Sequence, residues 1–432
     1  MSGDLRFPEG FLWGCATAAH QVEGGLTNDW SEFERRPGAI ADGGSARLAC
    51  DHHARFREDL RLLAGLGNNA HRFGIEWSRI EPEEGRFDPA ALEHYDAVVD
   101  ECVALGLEPV VTLLHFTLPV WLARRGGVCA PDAPARFARA AAVCAARYGG
   151  RVRWWCTVNE PLVQATLGYL RGEWPPARRS LGACLAAVRG LLRMHAAAAA
   201  ALRSVSERAG REARIGCAHH VRGMRPARPS SLADAAVAAV PDHLFNRWWL
   251  RACREGRMLP PLGTGSTVAG LAGSLDWVGL NYYCDDLVRF DWRRPRELFT
   301  RQYADPALPA SSFGWAIEPD GLRRALHLVA DVSGLPVLVT ENGVADTADE
   351  LRPRFLVDHV AAVHRAVEEG VDVRGYLHWT SMDNFEWAAG YTQRFGLVSV
   401  DRQTLERSPK PSAAVYERIC RTNGVPRDLL DL

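Results

Sequence analysis

Eight short apolar segments, each separated from the next by a stretch patterned as a helix, constrain this 432-residue chain more than any other feature. They cover residues 11–16, 70–75, 109–115, 153–159, 214–219, 277–281, 337–341 and 373–379. Most are rich in Val, Leu, Ile and aromatic residues with little polar–apolar alternation, the pattern of parallel strands buried on both faces. Between them, residues 55–64 place Phe56, Leu60 and Leu63 on one stripe. Residues 92–105 do the same with Tyr95, Val99 and Val103, and residues 353–369 with Phe355, His359, Val363 and Val367. Gly67, Gly106, Gly334 and Gly370 follow helical stretches, where a left-handed residue closes the last turn.

Eight strand–helix units predict an α/β fold, a single (β/α)8 TIM barrel with its active site at the C-terminal ends of the strands. A doubly wound open sheet is the rival, and it needs a glycine-rich phosphate loop after an early strand. No GxGxxG or GxxxxGK[ST] stands in such a position. No linker breaks the pattern, so residues 1–432 are expected to form one catalytic domain. The polar, aromatic stretch 283–312 reads as a long active-site loop after a strand.

Charge and composition remove several functions. Lys and Arg number 51 against 52 Asp and Glu, a formal net charge of −1, so nothing draws the chain generally to nucleic acid or anionic membrane. The longest apolar stretch, 181–202, is interrupted by Arg189, Arg193 and His195, and no membrane span is expected. The first residues lack a basic region followed by an apolar run, and the 11 cysteines form no CxxC pair. A cytoplasmic protein with reduced thiols is the expectation. Lys410 is the only lysine, which excludes Schiff-base chemistry over nearly the whole chain. His52-His53 and His219-His220 are adjacent pairs rather than i,i+4 pairs, and no Cys/His spacing suits zinc, so neither metal nor cofactor is expected. A Ser-His-Asp hydrolase lacks its GxSxG elbow.

What remains are two carboxylates at predicted strand ends. Glu160 follows the apolar run 154–159 and precedes Pro161; Glu341 follows 337–340 and precedes Asn342-Gly343. An isolated surface glutamate is ordinarily solvated or half of an ion pair. These two stand directly after apolar runs, each beside an asparagine, where barrels place catalytic groups. Two carboxylates at one mouth can divide into acid and nucleophile, as glycoside hydrolysis requires. Aromatic and polar residues mark the other strand ends: His115, the Asn281-Tyr282-Tyr283 run, and Trp379 followed by Asp383-Asn-Phe-Glu-Trp387. Sugars bind through aromatic faces and polar groups of this kind, whereas Trp154, Trp155 and Trp248 read as core.

The motifs, taken in order, resemble glycoside hydrolase family 1, the β-glucosidase and β-galactosidase family. They run from Phe11-Leu-Trp-Gly-Cys-Ala-Thr-Ala-Ala-His-Gln-Val-Glu-Gly24 through Cys50-Asp-His-His53 and Arg72-Phe-Gly-Ile-Glu-Trp-Ser-Arg-Ile80. Thr157-Val-Asn-Glu-Pro161, Gly279-Leu-Asn-Tyr-Tyr283, Thr340-Glu-Asn-Gly343 and Asp383-Asn-Phe-Glu-Trp387 follow, then Arg394-Phe-Gly396 and Lys410-Pro-Ser-Ala-Ala-Val-Tyr416. The resemblance implies a (β/α)8 barrel and retaining hydrolysis of β-glycosides without cofactor. It implies Glu160 as acid/base, Glu341 as nucleophile, Arg72 and Tyr283 as groups holding the nucleophile, and Asn159 on the sugar 2-hydroxyl. Gln21, His115, Glu386 and Trp387 match glycone-binding positions and Trp379 the platform under the ring. Phe116, Asn281 and Phe395, in the same motifs, complete the substrate-binding set.

In that scheme Glu160 should be protonated, with a raised pKa, and Glu341 charged and supplied with donors. Small β-glycosides or oligosaccharides are the implied partners, on a monomer or homo-oligomer, with glucosidase activity ahead of galactosidase or fucosidase activity. Two alternatives stand beside it: a 6-phospho-β-glycosidase and a non-catalytic sugar-binding barrel. A carboxylate at Glu386 should repel phosphate, and Lys410 is far along the chain. Thr117, where the family often has Asp, and Cys284, where Thr or Ser is commoner, are departures that bear on specificity and rate.

Overall fold

The computed structural model describes residues 3–432, so residues 1 and 2 of the expected domain lie outside it. Eight strands form a ring: β1 (Leu12–Ala16), β2 (Ala70–Gly74), β3 (Glu108–Thr112), β4 (Trp154–Asn159), β5 (Arg214–Pro226), β6 (Trp277–Phe290), β7 (Val337–Asn342) and β8 (Val373–Trp379). Each runs parallel to its neighbours in sequence, and the β8–β1 pairing closes the ring. Eight helices alternate with them: α1 (His52–Gly65), α2 (Pro89–Ala104), α3 (Ala133–Tyr148), α4 (Leu181–Arg208), α5 (Trp248–Glu255), α6 (Pro319–Ser333), α7 (Arg352–Glu368) and α8 (Pro411–Thr422). This is the barrel that the strand–helix alternation predicts.

Strand side chains alternate between two cores. Val111, Trp155, Val278, Val339 and Tyr376 pack under the helices. Val110, Trp154, Cys156, Leu338 and Leu377 belong to the second cluster, inside the ring. Trp154, Trp155 and Trp248 are buried core residues, as expected. Local signals set the helix ends. Asp88 caps α2 by accepting from the Ala90 and Ala91 N–H groups, with Pro89 as first residue. Gly334 closes α6 at φ 71°, its N–H donating to the Ala330 carbonyl. Helix α4 is long and apolar enough to cross a membrane by length and composition alone, but 61% of its apolar window is buried within the protein. Val188, Leu191, Leu192, Met194 and Leu202 join the core under the helices.

Two expectations are corrected here. Strand β3 ends at Thr112, so His115 stands three residues beyond it on an irregular segment that turns at Phe116, φ 74°. The stretch 283–312 is not simply a loop. Strand β6 continues to Phe290 beside the equally extended β5, with Pro226 opposite Val288, and Thr300–Tyr303 folds back antiparallel onto it. Its mixed polarity is that of a paired ribbon in which Asp285, Asp286 and Val288 are buried while Arg289 and Phe290 are exposed.

The strand registers shift near their C-terminal ends: between Cys156 and Asn159 in the β4–β5 pair, Leu280 and Asn281 in β6–β7, and Tyr376 and His378 in β7–β8. Such irregularities re-aim side chains. Here they turn Asn159, Asn281 and the residues after them toward one another.

Candidate active site

Arg72 enters the ring from β2 with no solvent exposure, and its guanidinium is the centre of the site. Nη1 donates to Glu341 Oε1 at 2.5 Å, Nη2 to Asn159 Oδ1 at 2.7 Å, and Nε to Thr112 Oγ1 at 3.1 Å. Tyr283 Oη donates to the other Glu341 oxygen at 2.7 Å. Asn281 Nδ2 donates both to Asn159 Oδ1 at 3.1 Å and to Glu160 Oε1 at 2.8 Å, while its carbonyl oxygen accepts from Thr340 Oγ1 at 2.6 Å. A continuous chain of hydrogen bonds, through Asn281, Asn159 and Arg72, therefore joins Glu160 to Glu341.

The two carboxyls are dressed differently. Both Glu341 oxygens accept from a donor on another strand. Glu160 Oε1 takes two donors, Asn281 and His220 Nδ1 at 3.0 Å, and among the described residues nothing donates to Oε2. Glu160 itself sits at φ 43°, in the left-handed region, directly before Pro161. Phe116 and Trp387 share this feature at φ 74° and 48°. Such conformations hold of order 1–3 kcal/mol of strain each and persist where their surroundings fix them.

Burial pushes the Glu341 carboxyl up to about 7; Arg72 pulls it back, and the Glu160 charge adds to the rise. Burial acts on Glu160 in the same direction, but His220 and Asn281 outweigh it and hold this carboxyl below its ordinary value. This reverses the expectation of a raised Glu160 and an ionised Glu341. The charge of each raises the other, so the two titrate as a unit. Burial, then the Glu341 charge, lifts Glu386 to about 8. Burial and Arg72 hold His115 well below the usual histidine range, so its ring is neutral.

The other expected residues gather around this network. Gln21 Nε2 reaches Glu386 Oε2 at 3.2 Å and the Phe385 carbonyl at 2.8 Å, leaving its own Oε1 buried without a partner. His115 Nε2 meets Asn159 Nδ2 at 3.0 Å, and Nδ1 is buried and unpartnered. The His115 ring lies 5.9 Å from both Trp379 and Trp387, nearly parallel to each. Phe116 packs on Trp387 at 5.2 Å, and Phe395 packs on Tyr283 at 6.0 Å. All thirteen residues singled out from the sequence thus meet at one end of the barrel.

Three further residues join them. Trp174 packs on Phe116 and Trp387 at 4.9 and 5.8 Å; Trp315 lies 5.4 Å from Tyr283. Both are tryptophans in connecting segments, half-buried, where barrel packing does not require so large a ring. The third, His220, has its sequence signal in its place just after an apolar run. Of the departures, Thr117 Oγ1 donates to buried Glu76 at 2.8 Å, and Cys284 is a buried thiol pushed up to about 12. Lys410 is distant only in sequence: Nζ lies 2.8 Å from Asp383 Oδ1, three residues from Glu386. Among the described residues, no three His, Cys, Asp or Glu side chains gather as metal ligands.

Comparison with known proteins agrees with this geometry. The family model for glycosyl hydrolase family 1 matches residues 4–425. β-Glucosidase A of Thermotoga maritima is 34% identical, covering 97% of this chain and 99% of its own. Thermostable β-glucosidase B of Thermobispora bispora is 37% identical, covering 98% and 92%. The Thermotoga maritima β-glucosidase structure in complex with glucoimidazole superposes with a TM-score of 0.91 at 33% identity, covering 97% of this chain and 99% of that one. The chain therefore belongs to glycosyl hydrolase family 1 and is a β-glycosidase built on a (β/α)8 barrel.

Proposed function

We propose that the protein is a retaining, exo-acting β-glycosidase of unphosphorylated sugars, with β-glucosides as its main substrates. The observation that carries this reading is the asymmetry of the carboxyl pair. Glu341 is held at both oxygens by Arg72 and Tyr283, whereas Glu160 keeps one oxygen free. A fixed carboxylate suits attack on carbon, and a free carboxyl oxygen suits proton transfer to a leaving group.

In the first step a Glu341 oxygen bonds to the anomeric carbon, the glycosidic C–O bond breaks, and the departing oxygen takes the proton from Glu160. In the second, Glu160 takes a proton from water, the water oxygen bonds to the anomeric carbon, and the bond to Glu341 breaks. Retention needs the carboxyl groups ~5–5.5 Å apart, against ~6.5–9.5 Å for inversion. Between the steps Glu341 loses its charge, and the charge appears on Glu160 beside His220 and Asn281. The pair holds one proton between them, and positive charge developing at the anomeric carbon favours its lodging on Glu160.

Gln21 Oε1 and His115 Nδ1 are suited to sugar hydroxyls, since buried polar atoms ordinarily find a partner. Trp379 and Trp387 offer ring faces beside them. Asn159 Nδ2, next to the Glu341 network, suits the 2-hydroxyl. The names of the relatives support glucose at this site. Galactosides, inverted at the 4-hydroxyl, and fucosides, which also lack the 6-hydroxyl, are proposed as side substrates. Assay of an aryl β-glucoside on the wild type and on Glu341→Gly tests the reading: the variant should lose essentially all turnover, and full retained activity would reject the assignment.

A further inference from the structure

We propose that His220 is the positioning residue for the catalytic acid: its Nδ1–H anchors one oxygen of Glu160, so that the transferred proton rides on the other. The inference rests on Glu160 being the acid.

A carboxyl that is free to turn about its last bond presents either oxygen to a leaving group. Here Oε1 accepts from two donors on different strands, Asn281 Nδ2 on β6 and His220 Nδ1 on β5. An acid proton on Oε1 would face a donor, so it belongs on Oε2. The imidazole is itself held. Its ring stacks on Tyr283 at 5.9 Å with 21° between the planes and meets the Phe245 edge at 5.7 Å. Side-chain exposure is 12% for His220 and 9% for Glu160, so water competes weakly for the contact.

Other charged groups act here too. Glu160 faces His220 from β4, and Tyr283 faces it from β6. His219 on the same strand is neutral, because burial lowers it to about 4, and its Nε2 is bound to the Asn246 carbonyl. Arg72, Glu341 and Glu386 act on Glu160 and its network from β2, β7 and the segment after β8. Of all these, only His220 and Asn281 touch Glu160 through hydrogen bonds. His220 also stabilises the carboxylate left once the proton has gone.

The test compares two glucosides in the same variant, which makes the ratio independent of how much enzyme is folded. Dinitrophenolate leaves without a proton, whereas an alkoxide does not. In His220→Leu, kcat/KM for an alkyl β-glucoside should fall about 10–100-fold, and for the dinitrophenyl β-glucoside less than about 3-fold. The acidic limb of kcat/KM should also move to higher pH, because a lost donor raises the pKa of Glu160. His220→Asn places an amide donor where Nδ1 was and should rescue the alkyl glucoside. Glu160→Ala, with azide as substitute nucleophile, is the reference. If Glu160→Ala discriminates between the leaving groups and His220→Leu does not, the role of His220 is overturned while Glu160 stands. If Glu160→Ala fails to discriminate, both fall. His220→Asn losing as much as His220→Leu would likewise overturn the anchoring role.

Discussion

Arg72 Nη1 lies 2.5 Å from Glu341 Oε1, and the two side chains are 0% and 3% exposed. One guanidinium thus holds the carboxylate in place, with Asn159 on its other arm. Removing one partner of such a pair leaves a buried charge, a loss of about 3–5 kcal/mol. Arg72→Met should therefore lower the melting temperature, and the drop should be greater at pH 8 than at pH 5, where Glu341 can take up a proton. Calorimetry at the two pH values checks this; equal drops would mean that Glu341 is not the group left exposed.

In the proposed mechanism the carboxyl pair sets the pH range. With two protons it has no charged nucleophile; with none it has no acid; the form with one proton is active. The kcat/KM profile should be a bell whose basic limb falls at about pH 7, the value to which burial lifts Glu341. Its acidic limb should lie below the ordinary glutamate value, because His220 and Asn281 hold Glu160 down. A profile flat from pH 5 to 9 would contradict this account.

Glu386 makes a different stability prediction. Its folded pKa is raised from 4.5 to about 8. Between those values the unfolded chain gives up this proton while the folded one keeps it. Folding therefore loses about 1.4 kcal/mol for each pH unit climbed through that window. Glu386→Gln, always neutral, should melt higher than wild type at pH 8 and nearly the same at pH 4. It should also raise KM for glucosides. Equal melting temperatures at pH 8 would mean that the folded protein does not hold Glu386 neutral.

The 6-phosphoglucoside alternative turns on Lys410. Its ammonium is held by Asp383 at 2.8 Å, so its charge is already engaged beside the Glu386 segment. Turnover of an aryl 6-phospho-β-glucoside should be at least ~100-fold below that of the plain glucoside, since a phosphate would stand near the Glu386 carboxyl while Lys410 is already paired with Asp383. Comparable rates would overturn the choice of unphosphorylated substrates.

The barrel is legible in the sequence because its strands are buried on both faces. Runs such as residues 154–159 and 337–341 need only be apolar and spaced by helices. The strand ends are less so. Nothing in residues 109–115 announces that pairing stops at Thr112, because the next residues remain apolar while the backbone prepares to turn at Phe116. Ribbon residues such as Asp285, Asp286 and Arg289 read as loop because their partners are on β5 and Thr300–Tyr303, far off in sequence. The motif residues lie together at one end of the barrel, but motifs do not carry electrostatics. Which carboxyl carries the proton depends on His220, 60 positions from Glu160, and that contact exists only once β4 and β5 lie side by side. Lys410 misleads for the same reason: separation along the chain is a poor guide to separation in space.

The central claim is that Glu341 attacks the anomeric carbon. Incubation with a 2-deoxy-2-fluoro-β-glucoside bearing an activated leaving group, followed by peptide mapping, tests it directly. The account predicts stoichiometric inactivation, with the fluorosugar mass on the peptide containing Glu341 and none on the peptide containing Glu160. Label on any other residue, or sustained turnover with no adduct and release of the α-anomer, would contradict it.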